Sequence, residues 1–167
     1  MLGSARSDGN TAAAVRRLAA ALPDHQLLDL SALRIAAFDY AAPARADDFT
    51  IIVDAMLAHR AIVFATPVYW YAMSGPMKIL FDRLTDLLLT PEGRTRGRAL
   101  AGRGVWVLAT GTDPEAPACF IEPFRLTAAY FDMIYGGDCY VRCAEDTLPD
   151  DVDMARVDAF AGRVAAA

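Results

Sequence analysis

The chain has 167 residues and a formal charge of -5, enough length for one domain with its own core and too little basic surplus for a nucleic-acid partner, which needs Lys and Arg massed on one face. No apolar run approaches a membrane span, and no basic segment leads into an apolar stretch as in a secretory signal. Three cysteines, with Cys139 and Cys143 lacking histidines at ligand spacing, suggest neither a disulfide framework nor a resident metal; a cytoplasmic protein is expected.

In chain order, residues 3–11, GSARSDGNT, form a loop rich in glycine and hydroxyls that begins just after Met1 and Leu2. Val15, Leu18 and Leu22 then recur at helical spacing, predicting a helix over 10–22 with Asn10 and Thr11 as cap candidates and Pro23 as a stop. HQLLDL, residues 25–30, predicts a short strand; an irregular connection leads to a second helix over 47–57. The β-branched and aromatic run Ile62, Val63 and Phe64 predicts a strand apolar on both faces, stopped by Thr66 and Pro67. From Ser74 to Leu89 the stripe Met77, Leu80, Phe81, Leu84 and Leu88 predicts a helix with Pro76 in its first turn. A Gly- and Arg-rich connection carrying Arg94, Arg96, Arg98 and Arg103 precedes a double-faced strand over 104–111. A helix over 118–131, a strand over 133–142 with a glycine break, and a helix over 150–166 complete the order. The last helix carries Asp150, Asp151 and Asp153 in its first turn, where the dipole favours acids; the acidic run 145–153 reads as a solvated turn and helix start.

This alternation implies a parallel sheet covered on both faces, with 1–167 as a single domain. Ligands of such sheets sit beyond the carboxyl ends of the strands, which directs attention to three loops. In the first, unpaired N–H groups and the positive end of the following helix suit an anion. Ser4, Asn10 and Thr11 add short donors there, Arg6 adds a permanent charge, and Gly9 permits close approach. The loop lacks both the Lys-Ser/Thr of a nucleoside-triphosphate loop and the G-x-G-x-x-G spacing; taken alone it reads either as a site for a phosphate monoester without bound magnesium or as a capped helix after a turn. The second loop, TPVYWYAMSGP, residues 66–76, crowds Tyr69, Trp70 and Tyr71 with Pro67 and Met73 where polar turn residues are expected, and so calls for a flat apolar ligand or a neighbouring subunit. The third, ATGTDPE, brings Thr110, Gly111 and Thr112 to the same edge. A flat heteroaromatic bearing a phosphate satisfies all three loops, and FMN is the simplest such ligand.

GSARSDGNT, TPVYWYAMSGPMKILFDR and LATG, in that order, resemble the flavodoxin-like NAD(P)H-dependent FMN oxidoreductases, which include FMN, quinone and azo reductases. The resemblance covers most of the chain. It implies an α/β, flavodoxin-like doubly wound parallel five-stranded sheet of order 2-1-3-4-5 with FMN at the switch point. It further implies phosphate binding by Ser4, Arg6, Gly9, Asn10 and Thr11, ring packing by Pro67, Val68, Tyr69, Trp70, Met73 and Ser74, and contact with the pyrimidine edge by Thr110, Gly111 and Thr112. Relatives carry a full apolar strand ahead of the first loop, where this chain has Met1 and Leu2; either the reading frame begins upstream or the fold carries a truncated first strand.

The expected chemistry is hydride transfer from NAD(P)H through FMN to a small-molecule electron acceptor such as a quinone, azo compound or flavin. No catalytic side chain is assigned; Tyr69 and Tyr71 are proton-transfer candidates as well as packing rings. The arginines at 94–103 are candidates for a 2′-phosphate of NADPH or for a solvated connection, which leaves NADH or NADPH open. A homodimer or homotetramer is expected, with a partner shielding the flavin. Two alternatives stay open: a flavodoxin-type electron carrier, against which the loop's departure from T-x-T-G-x-T counts, and a flavin-free binding protein of the same fold.

Overall fold

A computed structural model describes residues 1–43, 45–143, 149 and 151–166. The elements are α1 (Asn10–Ala21), a 3-10 turn (Leu30–Ala32), α2 (Phe49–Ala58), β1 (Ala61–Tyr69), β2 (Ala72–Met73), α3 (Gly75–Arg83), α4 (Asp86–Leu89), α5 (Pro91–Arg98), β3 (Gly104–Gly111), α6 (Ala118–Tyr130), β4 (Ile134–Arg142) and α7 (Asp151–Ala165). β1, β3 and β4 pair in parallel, and β2 folds back antiparallel on β1, giving a mixed four-stranded sheet of order β2-β1-β3-β4.

The sheet is covered on both faces, as a parallel sheet must be. On one face Leu18 of α1 and Phe160 of α7 pack with Leu108 and Val141; on the other Ile52 of α2, Leu80 of α3 and Phe124 of α6 pack with Phe64 and Val107. Successive side chains of β1 and β3 point to opposite faces, so Phe64 and Ala65, or Val107 and Leu108, are buried in opposite layers.

The expected five-stranded ladder is not what is observed. Neither the stub at Met1 and Leu2 nor residues 25–30 form a regular strand; they meet through isolated parallel bridges from Leu2 to Asp29 and from Leu2 to Ala65. The Leu2 N–H donates to Leu28 C=O at 2.8 Å, and the Ala65 N–H donates to Met1 C=O at 2.8 Å. A segment this short provides one ladder position to each neighbour, so pairing stops there.

Three further differences have local causes. The expected helix over 74–89 breaks at Leu84 and Thr85 into α3 and α4. The expected connection after it contains α5, whose Thr90 side chain caps the Gly93 N–H at 3.0 Å with Pro91 at the first helical position. Gly93 and Gly97 stand there because α4 crosses close by; a Cβ at Gly97 would meet Leu87 C=O at 3.1 Å. At α1 the cap is Gly9, with no side-chain hydrogen bond, instead of Asn10 or Thr11.

The glycine break in β4 lies across from a register shift between Val105 and Trp106. The Trp106 ring occupies the space where a Gly136 side chain would stand, and Gly137 has φ 122°. Among the acids of the last helix, Asp150 and the acids at 145–146 lie outside the described residues, as does the side chain of Asp151; Asp153 pairs with Arg156 at 3.4 Å.

A buried ion cluster fixes the long segment before α2. Arg83, 2% exposed, donates to Asp86 Oδ2 at 2.8 Å, to Asp47 Oδ2 at 2.5 Å and to Ala36 C=O at 3.0 Å. Burial works to raise the Asp47 carboxyl, but hydrogen bonds from Arg83 and from the Ala36 and Phe49 N–H groups outweigh it and hold it below its ordinary range.

Candidate functional site

The three loops meet at the carboxyl edge of the sheet, drawn together by short buried hydroxyls. Thr11, in the first turn of α1, places Oγ1 at 2.6 Å from Thr110 Oγ1 at the end of β3, joining the first loop to the third. Ser74 caps α3 by accepting the Met77 N–H, and its own hydroxyl donates to Gly3 C=O at 2.6 Å, joining the second loop to the first. Thr66, which the sequence marks only as a strand stop, accepts the Ser74 N–H at 3.1 Å and donates to Pro67 C=O at 3.2 Å. Thr11, Thr66, Ser74 and Thr110 are all buried. Each hydroxyl meets a polar partner, which offsets the cost of taking it out of water.

Within the first loop, Ser4 is buried and its Oγ accepts the Arg6 N–H at 3.3 Å. Arg6 itself is exposed and curls over the α1 cap; a Cβ at Gly9 would stand 3.4 Å from its Nη2. A guanidinium and the uncapped N–H groups of a helix start therefore face the same small region. Asn10 is half-buried, and its side chain hydrogen-bonds Cys143, whose thiol is pushed up to about 11 by burial. On the rim, Ser7 Oγ lies 3.0 Å from Ser31 Oγ. Burial works to raise the Asp29 carboxyl beside them, but hydrogen bonds from Ser7 and Ser31 prevail and hold it below its ordinary value.

The second loop is a tight hairpin. β1 continues through Pro67, which is buried, and half-buried Val68 to Tyr69, which pairs with Ala72 across a two-residue turn of Trp70 and Tyr71. Both turn residues have positive φ, 51° and 65°, the backbone of a type I′ turn that ordinarily selects Asn-Gly. Holding two aromatics there costs about 1–2 kcal/mol each, and the result is a Trp70 that is 93% exposed at the tip. Tyr69 and Tyr71 are exposed beside it and Met73 is half-buried. The expected aromatic wall is thus a projecting tip.

In the third loop Gly111 is the last ladder residue, opposite Arg142, with its C=O accepting the Cys143 N–H at 2.8 Å. Tyr140 covers it: a Cβ at Gly111 would meet the Tyr140 hydroxyl at 2.6 Å, and that hydroxyl donates to Asp113 C=O at 2.9 Å. Thr112 is exposed just beyond the ladder.

The arginines at 94–103 do not join this edge. Arg103, just before β3, donates to Met56 C=O at 2.8 Å and to Leu57 C=O, closing the last turn of α2; Arg96 pairs with Asp54, and Arg94 donates to Leu88 C=O. They tie helix ends together near the amino end of β3. Among the described residues no three His, Cys, Asp or Glu side chains gather as a metal site, and no helix is long and apolar enough to cross a membrane.

A family model described as NADPH-dependent FMN reductase matches residues 1–147. Over 108 residues the chain is 30% identical to YwqN of Bacillus subtilis (strain 168), named for an NAD(P)H-dependent FMN-containing oxidoreductase; the aligned stretch is 64% of this chain and 58% of that protein. Among solved structures, the Trp repressor binding protein from Bacillus subtilis has a TM-score of 0.74 at 22% identity, covering 97% of this chain and 93% of that one. A flavodoxin from Streptococcus pneumonia TIGR4 has a TM-score of 0.63 at 18% identity, covering 98% and 94%. At these identities the structural likeness establishes the fold, α/β and flavodoxin-like.

Proposed function

The chain belongs to the NADPH-dependent FMN reductase family, and from that premise we propose that it is an FMN-dependent oxidoreductase, taking hydride from NAD(P)H and passing it to a small-molecule acceptor such as a quinone, azo compound or flavin. The observation that carries this reading is the start of α1, where a cap without a side chain leaves helix N–H groups open beneath the Arg6 guanidinium. Such a cradle suits a phosphate monoester. Bound there, FMN would supply the hydride-accepting ring system that side chains lack.

In this reading Ser4, Arg6, Gly9, Asn10 and Thr11 hold the phosphate. Pro67, Val68, Tyr69, Trp70, Met73 and Ser74 flank the ring, the exposed aromatics of the hairpin keeping water from one side of it. Thr110, Gly111 and Thr112 serve the pyrimidine edge, with donors beyond the ladder countering negative charge. The strained Trp70–Tyr71 turn supports the assignment, since left-handed non-glycine residues cluster at active sites and ligand clamps. Strand order 2-1-3-4-5, with Leu2 bridging Asp29 and Ala65 as the remnant of the first strand, a homodimer or homotetramer meeting at the hairpin, and a cytoplasmic setting belong to the same proposal.

The test is anaerobic addition of NADPH or NADH to the protein loaded with FMN and freed of excess by gel filtration. Bleaching of the flavin band within the dead time of mixing supports the oxidoreductase. Flavin that is retained and stays oxidised points to an electron carrier, and a colourless protein after loading points to a flavin-free binding role.

A further inference from the structure

Two side chains of β4 that lie outside all three loops, Tyr140 and Arg142, reach across the carboxyl edge of the sheet to the third loop. They stand two residues apart and so share a face of the strand. The Tyr140 hydroxyl donates to Asp113 C=O at 2.9 Å, and Arg142 Nε donates to Thr112 C=O at 3.3 Å. The Tyr140 ring packs against the buried cluster that contains Phe64, Val107 and Phe124, which seats its hydroxyl. Gly111 leaves it room: a Cβ there would stand 2.6 Å from the hydroxyl and 3.3 Å from the ring.

Two consecutive carbonyls held by β4 fix two peptide planes in succession. A trans peptide points its C=O and its N–H in opposite directions, and no peptide bond among the described residues is cis. With the Thr112 C=O turned to Arg142, the Asp113 N–H in the same plane is directed away from that guanidinium. The next plane has no N–H to offer, because Pro114 follows. Neither the Thr112 nor the Asp113 N–H has a partner among the described residues, and both residues are exposed. β4 thus leaves oriented donors just past the end of β3, at the edge where Thr11 and Ser74 tie in the other two loops.

Building on the flavin reading, we propose that Tyr140 is a positioning residue of the site, with Arg142 beside it: the two hold residues 111–113 so that the Asp113 N–H is a fixed donor to the pyrimidine edge of FMN. Neither side chain touches the ring in this role. A donor aimed before charge develops needs no reorganisation when it does, so it favours reduced FMN, whose pyrimidine edge carries more negative charge, over oxidised FMN. The phosphate has no share in the effect.

Tyr140→Phe, which keeps the ring and removes the hydroxyl, tests this. FMN and riboflavin are titrated against the parent chain and the variant by flavin fluorescence, and the midpoint potential of bound FMN is measured anaerobically for both. Tyr140→Phe is expected to weaken oxidised FMN and riboflavin alike by about twofold and reduced FMN by about twentyfold, since a hydrogen bond to a charged group is worth more. That tenfold difference moves the potential negative by about 30 mV for a two-electron couple. Arg142→Lys, which keeps the charge without the Nε donor, is expected to shift it the same way by less; its side chain is exposed, so it carries the test should Tyr140→Phe lower the urea midpoint. An unchanged potential in both variants, whether or not affinity falls, leaves Tyr140 a structural role only and overturns the proposal, as does a loss confined to FMN. A parent chain that binds neither flavin overturns the flavin reading together with the proposal, whereas a parent that prefers FMN to riboflavin, with both variants at its potential, overturns the proposal alone.

Discussion

At the carboxyl end of the sheet, Thr11, Thr66, Ser74 and Thr110 bury their hydroxyls and tie three loops into one edge, whereas at the amino end two backbone edges stand on either side of an open gap. Both ends belong to the same strands. The difference follows from what each end lacks: loops that run out of ladder partners can be closed by side chains of the right length, but a missing ladder position needs backbone at the spacing of a strand, and no side chain supplies it. The result is a locally ordered edge where a ligand is expected and a cavity between two backbone edges at the other end.

The largest expected effect sharpens this contrast through pH. Burial lowers the Met1 ammonium to about 5 from an ordinary value of 8.0, so between those values the unfolded chain binds more protons than the folded one and stability rises with pH. The gain is on the order of 3 kcal/mol from pH 5 to 8. Asp24, His25, His59 and Arg60 line the same cavity, so urea unfolding of the chain and of its Nα-acetylated form isolates the amine: acetylation should flatten this part of the profile. A profile unchanged by acetylation would break the contrast at its amino end.

Next in size, Ser74→Ala removes the cap of α3 and leaves the Gly3 C=O without its buried partner, for which about 2 kcal/mol of lost stability is expected in urea unfolding. A loss below about 0.5 kcal/mol would mean that the edge is not held by its hydroxyls, since exposed positions behave that way. The smallest effect has the opposite sign. Tyr71→Gly relieves one left-handed residue of the hairpin and should stabilise the fold by about 1 kcal/mol, while weakening FMN retention if the aromatic tip flanks the ring. A destabilised Tyr71→Gly would show that the turn owes its shape to packing within the chain.

How far the sequence foretells this arrangement differs between strands and turns. Ile62 to Phe64 and Val105 to Leu108 are legible because both faces of a central strand are apolar, and the observed β1 and β3 contain them. α5 is hidden by Gly93 and Gly97, which look like loop residues until the crossing with α4 gives them a reason, although Thr90-Pro91 is a helix-start signal. The hairpin is hidden because Trp-Tyr is not a turn pair by local preference; the pairing of Tyr69 with Ala72 imposes the backbone. At the site, the hydroxyls of Ser4, Thr11, Ser74 and Thr110 are legible as polar groups of the right loops. Their use as ties between loops, and Thr66 among them, depends on tertiary distances that spacing along the chain does not carry.

The most direct measurement of the phosphate assignment is a paired titration of FMN and riboflavin against the chain and its Arg6→Ala variant, followed by flavin fluorescence. If the α1 cradle and Arg6 hold the phosphate, the chain binds FMN at least tenfold more tightly than riboflavin, and Arg6→Ala loses about ten- to hundredfold for FMN and little for riboflavin, in line with roughly 1.5–3 kcal/mol for a charged hydrogen bond. Equal affinity for the two flavins, or an equal loss for both in Arg6→Ala, would contradict it.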